Sequence, residues 1–455
     1  MTRVIIVRHG QSTYNIEKRI QGRTDASSLT AKGENDASQT GKALSSISFQ
    51  AIYSSPLQRA KSTAEIIRSQ LATQSSVIQI DEQLVEVDLP LWVGMTTSQV
   101  QEKFTEDYRT WKERPQEFRM VLDEPSGTRE HFGSAQYEHF PVLALYAQAK
   151  EFWQEILPQH QGETILIVGH NGINRALIST ALGISPSRYH CLQQSNCGIS
   201  ILNFSGGLGE PVQLESMNQT QHLGETFPSL RPGHKGVRLL LVRHGETEWN
   251  RQGKFQGQID IPLNDNGRNQ AAKAAEFLKD VNIDFAVSST MSRPKETAEI
   301  ILKYHTNLKL ELFAGLREIS HGLWEGKFES EIEQEFPGEL ESWRTIPANV
   351  QMPEGENLSQ VKERSVADWN TIVENAQNQQ LQLGLVVAHD ATNKTLLCHI
   401  LGLSNENFWN FRQGNGAVSV IDYPDGIQGY PVLQAMNITG HLSNSVLDKT
   451  AAGAL

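Results

Sequence analysis

The two halves of the chain share one sequence pattern, and this long repeat limits the possible folds more than any other feature. Residues 7–10 read Val-Arg-His-Gly and recur as residues 242–245. Residues 54–67 recur as residues 288–301, with nine of the fourteen positions identical. Solenoid repeats have periods of about 20–50 residues, so a period of this length indicates that a whole domain was duplicated.

The repeat also sets the predicted domain boundaries. We predict a first domain over residues 1–224 and a second over residues 237–443. Residues 225–236 contain several prolines and glycines, which are typical of a linker. The small and polar residues 444–455 predict a flexible tail.

The first copy holds an insertion. Glu86 precedes His170 by 84 residues, whereas Glu318 precedes His389 by 71. The first copy therefore carries 13 extra residues, which we place within residues 101–140. That stretch has many charged residues and few apolar periods, so we expect a loop or a helical insertion over one edge of the domain.

The charge balance argues against two classes of partner. The 455 residues include 40 Lys and Arg against 52 Asp and Glu, a net charge of −12. Proteins that coat nucleic acid or bind anionic membranes need a basic excess, so we expect neither partner. The apolar runs are too short to cross a bilayer, the first residues enter a strand-like segment with no secretory pattern, and the three cysteines make no metal-ligand pattern. We therefore expect a cytoplasmic protein, and association into a homodimer stays open.

Strand-like and helix-like segments alternate along each copy. In the first copy, residues 4–7, 51–54 and 164–168 are short apolar runs that suit buried parallel strands. Residues 31–44 show helical spacing, with Thr30 as the predicted N-cap. The second copy has a counterpart of each segment. The pattern predicts the α/β class, as two tandem three-layer α/β/α domains, each with a mostly parallel sheet flanked by helices.

Polar side chains follow the predicted strands. Arg8 and His9 come directly after the first strand, Arg59 lies just beyond the second, and the same types recur at matching places in the second copy. His170 follows a third strand. In open α/β sheets ligands bind at the carboxyl ends of the strands, so we expect these side chains to meet in one crevice.

These residue types together suit phosphoryl transfer. A neutral imidazole is a good nucleophile at physiological pH, and guanidinium groups match phosphate oxygens. A glutamate can protonate a leaving oxygen and then accept a proton from water. We therefore predict phosphoryl transfer through a phosphohistidine, with pocket charge in place of a metal ion. The sequence shows no Walker-type loop and no acidic metal cluster, so we predict no cofactor and no metal ligands.

Each of these residues is weak support by itself. An Arg-His-Gly tripeptide occurs by chance, and a lone Arg59 is most simply a surface ion-pair residue. A lone histidine after an apolar strand is most simply a core residue. The ordered set, seen twice, favours an active site. The roles of Asn15 and Asn250 stay open between capping a helix and touching phosphate.

The repeated residues resemble the histidine phosphatase (phosphoglycerate mutase-like) superfamily in a tandem two-domain form. The resemblance implies that His9 and His244 are the phosphorylated nucleophiles and that Glu86 and Glu318 are the proton donors. The phosphate-binding residues that it implies are Arg8, Asn15, Arg59, His170, Arg243, Asn250, Arg293 and His389. The substrate-binding residues that it implies are Gln21, Gly22, Gln256 and Gly257.

Each copy departs somewhere from the family pattern. Residues 322–326 of the second copy match that pattern, whereas residues 90–94 of the first lose a glycine and a glutamate. The second copy also keeps a family-like loop at residues 353–357. It has Asp390 after its second histidine, where the first copy has Asn171. We expect the second copy to be active and the first to be active or altered in specificity.

Residues 318–322 do not match the Arg-His-Tyr-Gly pattern of the cofactor-dependent mutases, which favours the phosphatase branch. The resemblance implies a small phosphorylated acid or sugar as partner and substrate, such as phosphoserine or 2-carboxyarabinitol 1-phosphate. Two alternatives stay open. One is a cofactor-dependent phosphoglycerate mutase, and the other is a phospho-ligand-binding protein with one inactive domain.

Overall fold

The computed structural model describes residues 1–72, 77–123, 136–231, 233–443 and 445–450. Part of the predicted insertion, Pro232 of the predicted linker and half of the predicted tail lie outside the described residues. The contacts within the chain divide it into two units, Met1–Pro211 and Val212–Leu455.

The first unit alternates strands and helices. Its strands are β1 (Thr2–Arg8), β2 (Ala51–Ser54), β3 (Ile78–Ile80), β4 (Met120–Asp123), β5 (Gln136–His139), β6 (Thr164–Gly169) and β7 (Ile199–Phe204). Its helices are α1 (Thr13–Ile16), α2 (Ala31–Leu44), α3 (Gln58–Gln70), α4 (Thr97–Lys103), α5 (Thr105–Glu113), α6 (Pro141–Ile156) and α7 (Asn171–Leu182). The predicted cap of α2 is confirmed, because the Thr30 hydroxyl accepts a hydrogen bond from the Gly33 N–H at 3.0 Å.

The second unit repeats this alternation. Its strands are β8 (Val212–Gln219), β9 (Arg238–Arg243), β10 (Phe285–Ser289), β11 (Leu310–Phe313), β12 (Leu383–Ala388), β13 (Val418–Asp422) and β14 (Val432–Ile438). Its helices are α8 (Glu248–Gln252), α9 (Asp265–Leu278), α10 (Ser292–Ile301), α11 (Glu329–Glu335), α12 (Glu339–Thr345), α13 (Leu358–Asn378), α14 (Asp390–Leu401) and α15 (Gly440–Ser443). No helix among the described residues is long and apolar enough to span a membrane.

Each unit has a parallel sheet core flanked by helices, which confirms the predicted fold class. In the first unit the order is β7-β1-β6-β2-β3, and only β7 runs antiparallel to its neighbour. In the second unit β11-β10-β12-β9 are parallel, and β13, β14 and β8 extend the sheet in antiparallel fashion. The central strands are apolar runs because both of their faces are covered, and residues 4–7 of β1 are fully buried.

The stretch in which we placed the insertion, residues 101–140, contains helix α5 and, beyond it, a strand pair that the sequence did not predict. In this antiparallel pair, β4–β5, Met120 lies opposite His139. Met120 is buried and Val121 is exposed, so the short apolar run alternates as a half-buried strand does. The charged neighbours concealed this period, and Arg119 and Glu138 form an exposed ion pair beside the strands.

The division by contacts falls before β8, whereas the predicted first domain ends at residue 224. Strand β8 belongs to the second unit because it pairs with β14, with Met217 opposite Met436. The predicted domain and linker boundaries stay a prediction.

The described part of the predicted tail, residues 445–450, packs on the second unit. Asp448 is buried, and its carboxylate accepts hydrogen bonds from Arg412 Nε at 2.9 Å and Asn437 Nδ2 at 3.2 Å. Its backbone N–H donates to Glu215 Oε1 at 3.1 Å. These contacts hold residues 445–450 on the second unit, since a buried carboxylate with charge-assisted partners ties the backbone down, and the flexible tail over residues 444–455 stays a prediction.

Strand register brings the sequence-distant polar residues together. Arg8, the last residue of β1, lies opposite Gly169, the last residue of β6. The next N–H, that of His9, donates to the Gly169 carbonyl at 2.9 Å, and the Ser55 N–H donates to the Val168 carbonyl at 3.1 Å. The second unit repeats this register at the ends of β9 and β12.

The turn after β1 packs tightly on the start of α2. A Cβ atom on Gly10 would lie 2.4 Å from the Gly33 carbonyl oxygen, and one on Gly33 would lie 2.1 Å from the Gln11 carbonyl oxygen. Such distances are strongly repulsive, so two glycines are needed where the turn meets the helix. Gly245 and Gly267 make the same approach in the second unit.

We expect Gly33→Ala to lower the free energy of unfolding by about 1–3 kcal/mol, because the added methyl group overpacks this contact. Helix propensity alone predicts the opposite sign, a gain of about 1 kcal/mol. Urea unfolding of the full chain measures the change. Gly207→Ala is the matched control, since a Cβ there meets only Glu210 Oε1 at 3.6 Å. A stabilised Gly33→Ala chain would contradict the packing argument.

Candidate active site

The first histidine of the first unit is held with one ring nitrogen available. His9 is 2% exposed, and its Nδ1 lies 2.7 Å from the Gly10 carbonyl oxygen. A carbonyl can only accept, so Nδ1 carries the proton and Nε2 keeps its lone pair. Burial, with Arg8 and Arg59 nearby, holds the pKa of His9 well below its usual range. The ring is therefore neutral and nucleophilic at Nε2.

The second histidine lies beside the first. The ring centroids of His9 and His170 are 5.1 Å apart. His170 Nε2 lies 2.8 Å from the Ser55 hydroxyl, and its buried Nδ1 has no hydrogen-bond partner among the described residues. Burial and the Arg59 charge hold the pKa of His170 well below its usual range. When the Ser55 hydroxyl donates to Nε2, the ring proton sits on Nδ1 and can be donated to a bound anion.

Two arginines supply the positive charge. Arg8 Nη1 donates to the Gln194 carbonyl at 2.8 Å. Arg59 is 1% exposed and donates to the carbonyls of Thr24 at 2.7 Å and Gly22 at 2.9 Å. Among the described residues, Nε of both arginines has no partner, so each fork keeps an N–H for a ligand. Burial lowers the pKa of Arg8 to about 10, and the group remains a cation at neutral pH.

The predicted proton donor lies at the start of a helix. Glu86 Oε2 accepts from the Gly172 N–H at 3.0 Å, and Oε1 accepts from the Ile173 N–H at 3.2 Å. These N–H groups belong to the first turn of α7, which has no partners for them within the helix. The helix that follows His170 therefore fixes the carboxylate beside the two histidines.

Asn15 takes part in a capping box at the start of α1, whose N-cap residue is Ser12. The Ser12 N–H donates to Asn15 Oδ1 at 3.0 Å, and the Asn15 N–H donates to Ser12 Oγ at 3.3 Å. Asn196 Nδ2 also contacts Asn15 Oδ1 at 3.3 Å and donates to the His9 carbonyl at 2.8 Å. This network supports the loop that carries His9. A phosphate contact of Asn15 stays a prediction.

Gln21 and Gly22 lie in the loop that accepts a hydrogen bond from Arg59. Gln21 Oε1 accepts from the hydroxyls of Ser12 at 3.0 Å and Ser27 at 2.6 Å. Gly22 offers its carbonyl to Arg59, as described above. The structure thus gives both residues positioning contacts, and their predicted contact with substrate stays a prediction.

The second unit assembles the same constellation. His244 Nδ1 lies 2.7 Å from the Gly245 carbonyl oxygen, and the ring centroid of His389 is 5.1 Å from that of His244. His389 Nε2 lies 3.0 Å from the Ser289 hydroxyl. Arg293 Nε lies 3.3 Å from His244 Nε2, so a donor group faces the lone pair that this tautomer leaves on Nε2. Burial and Arg293 hold the pKa values of both histidines well below their usual range.

The other residues of the second site have matching contacts. Arg293 Nη2 donates to the Gly257 carbonyl at 2.8 Å. Asn250 Oδ1 accepts from the Thr247 N–H at 3.1 Å in a capping box like that of Asn15. With its amide oxygen turned toward Arg293, Gln256 accepts from Arg293 Nε at 2.7 Å.

Charge distinguishes the second site from the first. Asp390 Oδ1 lies 3.3 Å from Arg243 Nη1, and Asp390 Oδ2 lies 2.7 Å from Lys394 Nζ. Glu318 accepts from the N–H groups of Ala391 and Thr392, each at 3.3 Å. Burial and the nearby Asp390 carboxylate raise the pKa of Glu318 above its usual range.

Several supporting residues surround these side chains. Ser55 and Ser289, at the ends of β2 and β10, contact the second histidines. Thr63 accepts from the Gly10 N–H at 3.0 Å and went unnoticed, although it lies in the most strongly repeated stretch. Arg175 and Lys394, buried cations at matching positions of α7 and α14, also went unnoticed. No group of three or more His, Cys, Asp or Glu in the part of the chain that the structure describes is arranged to hold a metal ion.

Known proteins share these features. The family model of the histidine phosphatase superfamily (branch 1) matches residues 4–218 and 239–439. The 2-carboxy-D-arabinitol-1-phosphatase of Triticum aestivum is 31% identical over 452 residues, which cover 97% of this chain and 86% of that protein. A probable 2-carboxy-D-arabinitol-1-phosphatase of Arabidopsis thaliana is 31% identical over 97% of this chain and 88% of its own length. Phosphoserine phosphatase 1 of Hydrogenobacter thermophilus is 32% identical over 45% of this chain and 94% of its own. The chain therefore belongs to the histidine phosphatase superfamily, branch 1, and is a phosphatase of that superfamily.

Proposed function

We propose that each unit hydrolyses a phosphate monoester through a phosphohistidine intermediate. The observation that carries this proposal is the fixed tautomer of His9 and His244, which leaves Nε2 with a lone pair in a site that holds two arginine charges. A nucleophile in that position needs no deprotonation, and the pocket charge matches the charge of a phosphoryl group.

In the first step, Nε2 attacks phosphorus while the bond to the ester oxygen breaks. The arginines and the second histidine donate hydrogen bonds to the phosphoryl oxygens, which carry the transition-state charge. The leaving oxygen takes the proton of Glu86 or Glu318. The products of this step are an alcohol, a phosphohistidine and a glutamate carboxylate.

In the second step, water hydrolyses the intermediate. The glutamate carboxylate accepts a proton from the attacking water, the N–P bond breaks, and Nε2 regains its lone pair. Inorganic phosphate leaves, and the site returns to its starting protonation. The cycle uses only side chains of this chain.

We propose a small phosphorylated acid as the substrate class. The relatives that match nearly the whole chain act on 2-carboxy-D-arabinitol 1-phosphate by their names, and a relative that matches one unit is a phosphoserine phosphatase. Both substrates carry a carboxylate as well as a phosphate. We also propose the cytosol as the compartment, because the three cysteines lie buried in the described part of the chain and form no disulfide, as a reducing environment permits.

We expect the double variant His9→Ala with His244→Ala to lose at least about a thousandfold in kcat with p-nitrophenyl phosphate, since a nucleophile cannot be replaced by its neighbours. Each single variant should keep the other site, and we expect the larger loss from His244→Ala. Acid-labile labelling of the chain during turnover should disappear only in the double variant. Activity of the wild type should persist in EDTA.

Full activity of the double variant would contradict the proposal. Formation of 2-phosphoglycerate from 3-phosphoglycerate and a trace of bisphosphoglycerate, without free phosphate, would point to a mutase instead.

We expect Glu318→Gln to slow ester hydrolysis according to the leaving group. In a His9→Ala chain, glycerol 3-phosphate hydrolysis should fall by about 10²–10⁴-fold, which is the usual contribution of a general acid. Hydrolysis of p-nitrophenyl phosphate, whose leaving oxygen needs no proton, should fall much less. Equal losses with both esters would show that Glu318 does not act as the acid. Glu311→Gln, which changes an exposed carboxylate of β11, is the matched control.

The raised pKa of Glu318 predicts a pH dependence. Because the acid must be protonated, kcat for glycerol 3-phosphate at the second site should fall as pH rises through the pKa of Glu318. Asp390→Asn removes a charge that raises this pKa, so the alkaline limb of the pH profile should move to lower pH. The measurement uses a His9→Ala chain, with p-nitrophenyl phosphate as the insensitive reference. If the alkaline limb of the Asp390→Asn profile stays in place or moves to higher pH, the result contradicts this account.

A further inference from the structure

The helix that follows the second histidine begins differently in the two units. Helix α7 begins with Asn171, and α14 begins with Asp390. Four residues later each helix carries a cation, Arg175 or Lys394, and both of these side chains are more than nine-tenths buried. The same kind of cation therefore lies next to each site, and within the described parts of the chain Lys394 has an ion-pair partner, Asp390, whereas Arg175 has none.

In the second unit this cation is neutralised within the protein. Lys394 Nζ lies 2.7 Å from Asp390 Oδ2, and the ammonium group also lies 4.6 Å from the ring centroid of Trp409. The same carboxylate lies 3.3 Å from Arg243 of the phosphate pocket. Asp390 thus occupies the position between the two cations.

In the first unit, side chains at the corresponding position have hydrogen-bonding atoms without a partner among the described residues. Arg175 Nε and Asn171 Oδ1 are buried and have no hydrogen-bond partner among the described residues. Arg175 makes no ion pair with a described carboxylate, and its guanidinium lies 5.7 Å from the ring centroid of Tyr189. A buried cation with an unused N–H is costly unless an anion joins it.

Arg175 lies next to the reaction centre of the first unit. A Cβ atom placed on Gly172 would lie 2.7 Å from the Tyr189 hydroxyl and 2.3 Å from Glu86 Oε1, so the ring that contacts Arg175 adjoins the proton donor. The Arg175 charge also contributes to the lowered pKa of Arg8. A group on the leaving side of a bound ester would therefore come close to Arg175.

We propose that Arg175 is a specificity-determining residue that binds the carboxylate of a phosphorylated acid in the first unit, whereas Asp390 closes the equivalent subsite in the second. The first site then prefers esters that carry a carboxylate near the phosphate, and the second prefers esters without one. This inference rests on the proposed function and assigns different substrates to its two sites. Charge-assisted hydrogen bonds in buried sites contribute about 1.5–3 kcal/mol, so the preference should be about tenfold or more.

The test compares two esters that differ in one group, 3-phosphoglycerate with its carboxylate and glycerol 3-phosphate with a hydroxymethyl group. A full-length His244→Ala chain reports the first site, and a His9→Ala chain reports the second. The measured quantity is the ratio of kcat/KM for 3-phosphoglycerate to that for glycerol 3-phosphate. We expect this ratio to be about tenfold or more higher at the first site than at the second.

Reciprocal substitutions exchange the charge. Asn171→Asp in the His244→Ala chain should lower the ratio, because the new carboxylate pairs with Arg175 and repels the substrate. Asp390→Asn in the His9→Ala chain should raise it. Equal ratios at the two sites, or ratios that neither substitution changes, would overturn the assignment while leaving the phosphatase activity in place. If neither chain hydrolysed either ester or formed a phosphohistidine, the proposed function itself would be wrong.

Discussion

The buried positive charge beside each nucleophilic histidine is the constraint on which the rest of the structure depends. Taking a guanidinium out of water costs several kcal/mol unless other groups replace the lost hydration. Here backbone carbonyls do so, those of Gln194 for Arg8 and of Thr24 and Gly22 for Arg59. Burial, together with the same charge, holds the pKa of His9 well below its usual range. One set of cations therefore keeps the nucleophile neutral and provides the site for a dianion.

This arrangement requires rigid neighbours, since carbonyls can replace water only if their loops stay in place. The parallel register of β1 and β6 fixes the loop of His9, and the close glycine contact at the start of α2 holds it from the other side. Glu86 in turn depends on the free N–H groups at the start of α7. The chain carries a net charge of −12, and salt screens exposed charges beyond about 8 Å. Attraction of an anionic substrate must therefore arise inside the site.

The sequence allowed prediction of the fold class and of the residues that meet at the strand ends, because a duplicated sequence provides its own comparison. His9, Arg59 and His170 each recur at a matching position of the second copy, and this recurrence distinguishes functional residues from chance matches. The hydroxyl of Ser55 was harder to assign, since serine is common and its partner lies more than 100 residues away. The strands β4 and β5 were missed because charged neighbours masked a short apolar period. The packing of Asp448 was missed because a single carboxylate near a chain end gives no periodic signal.

Duplication also explains how one position can change in charge without loss of the site. The carboxylate of Asp390 lies close to both Arg243 and Lys394, and it raises the pKa of Glu318. A higher pKa favours the protonated acid that the first chemical step needs, while the same negative charge reduces the attraction for a second anionic group. Improved proton donation and weaker recognition of a carboxylate are thus two effects of one substitution. A single site can have either the higher pKa of its acid or the stronger attraction for a carboxylate. This chain has Asp390 in one unit and Asn171 in the other, so it has one site of each kind.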